Sequence, residues 1–214
     1  MRERLSLPFY NQDFTRSAIN GNSEYLDSLI DLLSDERVLT EAKCGNLTLA
    51  MIRPNVGPND NLLGLDDIET AEIIEGMVEG LGEMAKFSFK FTKEAVNQFY
   101  EGDPQASMEK NPPLDSNRFD SRWPEFVEFM ASGPTTAILL HSPNGDAIEK
   151  WRAHLGHWNL DKFRDPSTIR GKLAVGIYNN LVHGSDTPDS VVRELGIIRK
   201  VLDGGKYGPN EFHS

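Results

Sequence analysis

KLAVGIYNNLVHGSDTPDSVVRELGIIRKVL, residues 172–202, sets a β-type apolar run, a cluster of turn formers and a long amphipathic segment in direct succession. The run KLAVGIY reads as a strand. TPDSVVRELGIIRKVL reads as a helix, with Pro188 in its first turn, Asp189 complementing the macrodipole, and Arg199 and Lys200 near its end. His183 falls at the junction, ahead of Gly184 and the capping oxygens of Ser185, Asp186 and Thr187. A histidine there can cap, pack, bind metal or attack a substrate, and the local pattern alone leaves these roles open.

Upstream, the same alternation of strand and helix repeats. LTLAMI (47–52) is a short apolar strand stopped by Arg53-Pro54, and KFSFKF (86–91) alternates with Phe87, Phe89 and Phe91 on one face. TTAILLHS (135–142) is a third strand. Helical spacing marks 68–81, 92–100 with Thr92 as N-cap, 123–130 ending at Ser132-Gly133-Pro134, and 146–156. A long polar loop occupies 157–171. The order β-α-β-α-α-β-α-loop-β-α predicts an α+β, ferredoxin-like split βαβ sandwich: a four-stranded antiparallel sheet covered by helices. The rival, a doubly wound parallel sheet, usually carries a glycine-rich first turn, which is missing.

Residues 1–45 read as an N-terminal helical extension. Tyr25, Leu26, Leu29, Ile30, Leu32 and Leu33 form its apolar stripe, and TEAKCGN (40–46) acts as a break. The expected division is therefore extension 1–45, main domain 46–202 and tail 203–214.

Composition narrows the function. Of 214 residues, 38% are hydrophobic, enough for a real core. The formal net charge of −11 disfavours non-specific nucleic-acid binding and an anionic membrane surface. It permits an anionic metabolite gripped by a few converging arginines. The single Cys44 makes no internal disulfide, and MRERLSLPFYNQDF lacks a signal-peptide core, so a cytoplasmic protein is expected.

Within this acidic chain Arg53, Arg152 and Arg170 lie at strand or loop ends, where guanidinium forks suit phosphate oxygens. Glu194 follows His183 by eleven residues, close enough for its carboxylate to orient one imidazole nitrogen. His154 and His157 lie three apart with no third ligand placed near them. Trp151 and the phenylalanine stripe read as core.

The segment IRGKLAVGIYNNLVHGSDTPDSVVRELG (169–196) resembles the active-site segment of nucleoside diphosphate kinases, which carries an IRG triplet, an asparagine three before the histidine, HGSD and a downstream glutamate. FVEFMASGPTTAILL and LTLAMIRPN resemble that family's segment around MxSGP and its first strand. The resemblance implies that His183 is the nucleophile that becomes phosphohistidine, that Glu194 orients its ring with Ser185 bonded to the glutamate, and that Tyr100 lies beside the transferred phosphate. It implies that Arg152 and Arg170 hold phosphates, that Asn180 contacts the sugar and that Ile177 lines the base slot, with Trp123 and Phe126 as further nucleotide contacts. It also implies Mg²⁺ carried by the nucleotide phosphates, nucleoside di- and triphosphates as ligands, and a homo-oligomer, hexamer or tetramer. The rival class is a nucleotide-binding regulatory protein of the same fold with weak turnover, or a pathway-specific phosphotransferase.

This chain departs from that pattern at nucleotide-holding positions. Arg53 stands where the family has a catalytic lysine, Asn55 where it has aspartate, and Trp158 where a threonine helps grip phosphate. The family's two aromatics align with Arg122 and Trp123, and the segments 56–66 and 103–121 are longer than usual.

Overall fold

The computed structural model describes residues 12–14, 23–54, 80–101, 123–157, 164–173 and 181–204. Its elements are β1 (Gln12–Phe14), α1 (Ser23–Ser34), α2 (Glu36–Lys43), β2 (Leu47–Ile52), β3 (Gly82–Phe89), α3 (Lys93–Glu101), α4 (Trp123–Ser132), β4 (Thr135–His141), α5 (Ala147–Leu155), α6 (Ile169–Leu173), β5 (Val182–Gly184) and α7 (Pro188–Asp203).

Strand alternation builds two cores from one sheet. All six positions of β2 are buried. Leu47, Leu49 and Met51 enter one apolar cluster, together with residues of α1, α2, α3, α4 and α7. Ala50 and Ile52 enter another, with Trp151 and Leu155 of α5 and Ile169 of α6. Side chains along a strand point alternately to opposite faces, so a sheet covered on both sides needs apolar residues at consecutive positions. β4 repeats the division, with Ala137 and Leu139 on the first face and Ile138 and Leu140 on the second.

The sheet order is β1-β3-β4-β2-β5. β3, β4, β2 and β5 pair antiparallel throughout, the expected split βαβ arrangement. The sequence did not announce β1, which pairs parallel with the outer edge of β3. Its pairing is made by tertiary placement, which three residues cannot signal by periodicity.

Local chemistry sets the boundaries. Thr92 Oγ1 accepts from Ala95 N at 3.1 Å, the expected start of α3. The N-terminal stripe buries Leu29, Leu32 and Leu33. The break read at 40–46 narrows to Cys44–Asn46, because a second helix runs to Lys43, capped by Asp35. Hydrogen bonds from the Arg37 side chain, then from its amide, hold the Asp35 carboxyl down at about 2.

One strand expectation needs correction. Lys172 and Leu173 belong to α6, not to a strand. Asp165 O accepts from Thr168 N, and Thr168 O from Lys172 N, so a turn at Asp165 launches a helix across the run's first residues. The strand at this site is β5, which contains His183 instead of delivering it. The rest of that run, the polar stretch 103–121, the tail from 205 and the helix read at 68–81 as far as residue 79 lie outside the described residues; Gly80 and Leu81, at the end of that helix reading, form a turn and a link into β3.

α7 carries Glu194 and starts as its sequence suggests. Thr187 Oγ1 accepts from Ser190 N at 3.1 Å, and Ser190 Oγ donates to Asp186 Oδ1 at 2.6 Å. Thr187→Ala should lower stability by about 1 kcal/mol, and Thr187→Asn should keep most of it, as read from urea denaturation.

Candidate active site

His183 pairs with Met51 across β2 and β5, which aims its side chain at the face covered by α3 and α7. It is only 6% exposed. Its Nε2 lies 3.3 Å from Glu194 Oε2, and Ser185 Oγ donates to that same oxygen at 2.6 Å. Glu194 is 2% exposed, and its other oxygen lies 3.6 Å from Arg193 Nη2. Burying a carboxylate is costly unless partners satisfy its lone pairs, and these three groups do so. Arg193 also donates through Nη1 to Phe99 O at 2.9 Å, tying α7 to α3.

α3 in turn presents two rings edge-on to the imidazole. The Phe99 centroid is 5.1 Å and the Tyr100 centroid 5.8 Å from that of His183. Edge-to-face packing fixes a ring's tilt without consuming its nitrogens.

The backbone around His183 is held from outside its strand. Leu181, just before β5, has φ 67°, a left-handed conformation that costs a branched residue on the order of 1–3 kcal/mol. Arg53 N donates to Leu181 O at 2.8 Å and pins it there. Arg170, 4% exposed, donates from Nη2 to Val182 O at 2.9 Å and from Nη1 to Gly156 O at 3.1 Å. Trp151 Nε1 donates to His183 O at 3.2 Å.

The Arg53 side chain belongs to an aromatic cluster. Its guanidinium carbon lies 5.3 Å from the Phe126 ring centroid and 5.8 Å from that of Tyr100, and Nη2 donates to Tyr100 Oη at 3.5 Å. Trp123 packs tilted on Phe126 at 5.4 Å and donates through Nε1 to Asn97 Oδ1 at 3.0 Å. Cation and rings attract electrostatically at these distances.

The fold thus gathers His183, Glu194, Ser185, Tyr100, Arg53, Phe126 and Trp123 into one contiguous set. Arg170 joins it through the backbone of β5, its two terminal nitrogens engaged on carbonyls. Arg152, half-buried in the last turn of α5, follows Trp151; its side chain makes no hydrogen bond or ion pair among the described residues. Trp158, Ile177 and Asn180 lie outside the described residues. Sequence reasoning missed Phe99, Trp151 and Arg193. Their only signal was adjacency, to Tyr100, Arg152 and Glu194 respectively.

Lysine cannot reproduce the two-armed reach of Arg170. Arg170→Lys should therefore cost about 1–3 kcal/mol of stability in urea denaturation, and Arg170→Met at least as much.

The profile of the nucleoside diphosphate kinase family matches residues 46–201. A nucleoside diphosphate kinase of Corynebacterium diphtheriae is 41% identical over 73 residues, 34% of this chain and 52% of that protein. One from Methanosarcina acetivorans is 38% identical over 86 residues, 40% of this chain and 55% of that protein. The chain spans about half the length of these relatives. Among solved structures, the Aquifex aeolicus nucleoside diphosphate kinase superposes with a TM-score of 0.51 at 28% identity, covering 72% of this chain and 94% of that one. The Encephalitozoon cuniculi enzyme, at 24% identity and TM-score 0.52 over 71% of this chain and 87% of that one, shares the fold. A profile match across most of the chain, which takes in the strand and helix that join His183 to Glu194, makes this protein a member of the nucleoside diphosphate kinase family.

Proposed function

We propose that this chain moves the γ-phosphate of a nucleoside triphosphate to a nucleoside diphosphate through a phosphohistidine on His183. The contact between His183 Nε2 and Glu194 Oε2, shared with Ser185, carries this reading. A carboxylate oxygen only accepts, so the proton in that contact belongs to Nε2 and the lone pair lies on Nδ1. Nδ1 then attacks the γ-phosphorus: an N–P bond forms, the bond to the bridging oxygen breaks, and the nucleoside diphosphate departs with that electron pair. A second diphosphate reverses the step with its own terminal oxygen as nucleophile. Glu194 stabilises the positive charge that grows on the ring.

Phosphoryl transfer asks the protein mainly for positioning and charge stabilisation. In this reading Arg53, Arg152 and Arg170 meet the phosphate oxygens, Tyr100 stands beside the transferred group, and Arg170 also holds the nucleophile's strand. Trp123 and Phe126 face the base, with Ile177, Asn180 and Trp158 completing the nucleotide slot. Mg²⁺ fits as a passenger of the nucleotide: the polar groups gathered around His183 are chiefly cationic donors, and Glu194 is already committed to His183 and Ser185. When bound it would neutralise phosphate charge. A homo-oligomer, hexamer or tetramer, and a cytoplasmic setting accompany the same reading.

A second reading, nucleotide binding with weak turnover, draws on Arg53. Its guanidinium is drawn over the rings of Phe126 and Tyr100 and is bulkier than the lysine it replaces. One measurement separates the two. Intact-mass analysis after mixing with Mg-ATP should give a one-phosphate adduct that GDP discharges and that His183→Ala abolishes. If wild-type protein binds ATP but takes no phosphate, the kinase reading fails and the binding protein stands.

A further inference from the structure

We infer that Trp151 is a positioning residue for the nucleophile, acting through the backbone carbonyl of His183. The inference rests on the function proposed above and names a residue that reading did not use.

Three observations converge on it. Alternation along β5 sends the His183 side chain to the α3–α7 face, so position 184 faces α5 on the other side. There the edge of the indole that carries Nε1 and Cδ1 meets the strand. A Cβ built on Gly184 would sit 2.3 Å from Trp151 Nε1 and 2.4 Å from its Cδ1, closer than any real contact allows. Glycine at 184 is therefore what admits the ring, and the admitted ring places its N–H 3.2 Å from His183 O. Trp151 is fully buried, so neither partner of this bond has water to fall back on.

The bond has a consequence for geometry. Arg152 is the next residue on α5, in the same last turn. The helix that offers this cation is thereby tied to the backbone atom of the residue that attacks. A nucleophile and a phosphate-binding cation borne on different elements need such a tie, because in-line transfer tolerates little error in their separation. Trp151 sits 0% exposed in the apolar cluster with Leu155, Ile169 and Val182, so its orientation is set by packing and not by the substrate.

The test uses the full chain as wild type, Trp151→Phe, Gly184→Ala, Trp151→Ala and the Trp151→Ala/Gly184→Ala double variant. Single-turnover phosphorylation at saturating Mg-ATP, the ATP concentration for half-maximal rate, and thermal melting are recorded for each. Trp151→Phe keeps a ring and loses the donor; its saturating rate should fall about tenfold. Its half-saturating ATP concentration should stay within about twofold, since the loss lies in alignment and not in binding. Gly184→Ala should slow phosphorylation in the presence of the indole and much less in the Trp151→Ala background, so the two effects should not multiply. Wild-type rates in Trp151→Phe, or multiplicative effects in the double variant, would overturn the inference. Should wild type itself take no phosphate, the kinase reading fails separately. The Trp151 bond is then judged by hydrogen exchange of the indole N–H, which should be protected in wild type and exposed in Gly184→Ala; equal exchange in both defeats it.

Discussion

A strand of three residues at the edge of a sheet cannot hold itself in place, and the candidate nucleophile sits on one. β5 pairs with β2 along Val182–Gly184 and, among the described residues, has no strand beyond it. A typical hydrogen bond contributes only about 0.5–1.5 kcal/mol net, so its few ladder bonds are a weak restraint. Other groups supply the remainder. The Arg53 amide holds Leu181, the Arg170 guanidinium occupies Val182 O, and the Trp151 indole occupies His183 O. The left-handed Leu181 indicates how tightly this is done, since a residue with that φ relaxes unless its surroundings over-determine it. Much of the site's architecture therefore exists to fix one short piece of backbone.

The second fixed point is Glu194. A carboxylate 2% exposed would be expelled or neutralised without partners, and here it receives Ser185 from β5's own continuation, His183 from β5, and Arg193 from α7. Because Arg193 reaches on to the carbonyls of Gln98 and Phe99, the same network orients α3 and the two rings that pack on the imidazole. The cap at Thr187 matters for this reason: it sets where α7 begins, and Glu194 lies two turns further along the same helix.

Much of this was legible in the sequence, for identifiable causes. LTLAMI and TTAILLH announced themselves as strands because both faces of the sheet are covered, so the runs Leu49–Ile52 and Ala137–Leu140 had to be apolar at consecutive positions. α7 was readable from Thr187, Pro188 and Asp189, whose roles at a helix start are local chemistry. The pairing of His183 with Glu194 followed from their spacing across one strand and one helix. The failures share a cause as well. KLAVGIY has strand composition, yet the turn at Asp165 starts a helix over its first residues, a local hydrogen-bond pattern overriding propensity. Trp151 read as core and is core; that its one polar atom reaches the nucleophile's carbonyl depends on Gly184, thirty-three positions away in the chain. For Arg170 the sequence announces a guanidinium, and only the fold settles that two of its nitrogens meet carbonyls.

Two positions that depart from the family pattern and lie among the described residues, Arg53 and Trp123, sit together in the cluster of Tyr100 and Phe126. His183, Glu194, Ser185 and Tyr100 form a set joined by their own contacts. Arg53 lies at the rim of that set, its charge spread over the faces of Phe126 and Tyr100. A guanidinium held by two rings is a less mobile cation than an ammonium on a free stem, and it presents a planar fork in place of a point charge. In the proposed function, that favours a phosphate arriving at one fixed angle over one that is followed as it moves. In the proposed function two properties are therefore separate: alignment of the nucleophile rests on β5 and α7, whereas the choice of what is aligned against it rests on Arg53 and the aromatic cluster around it.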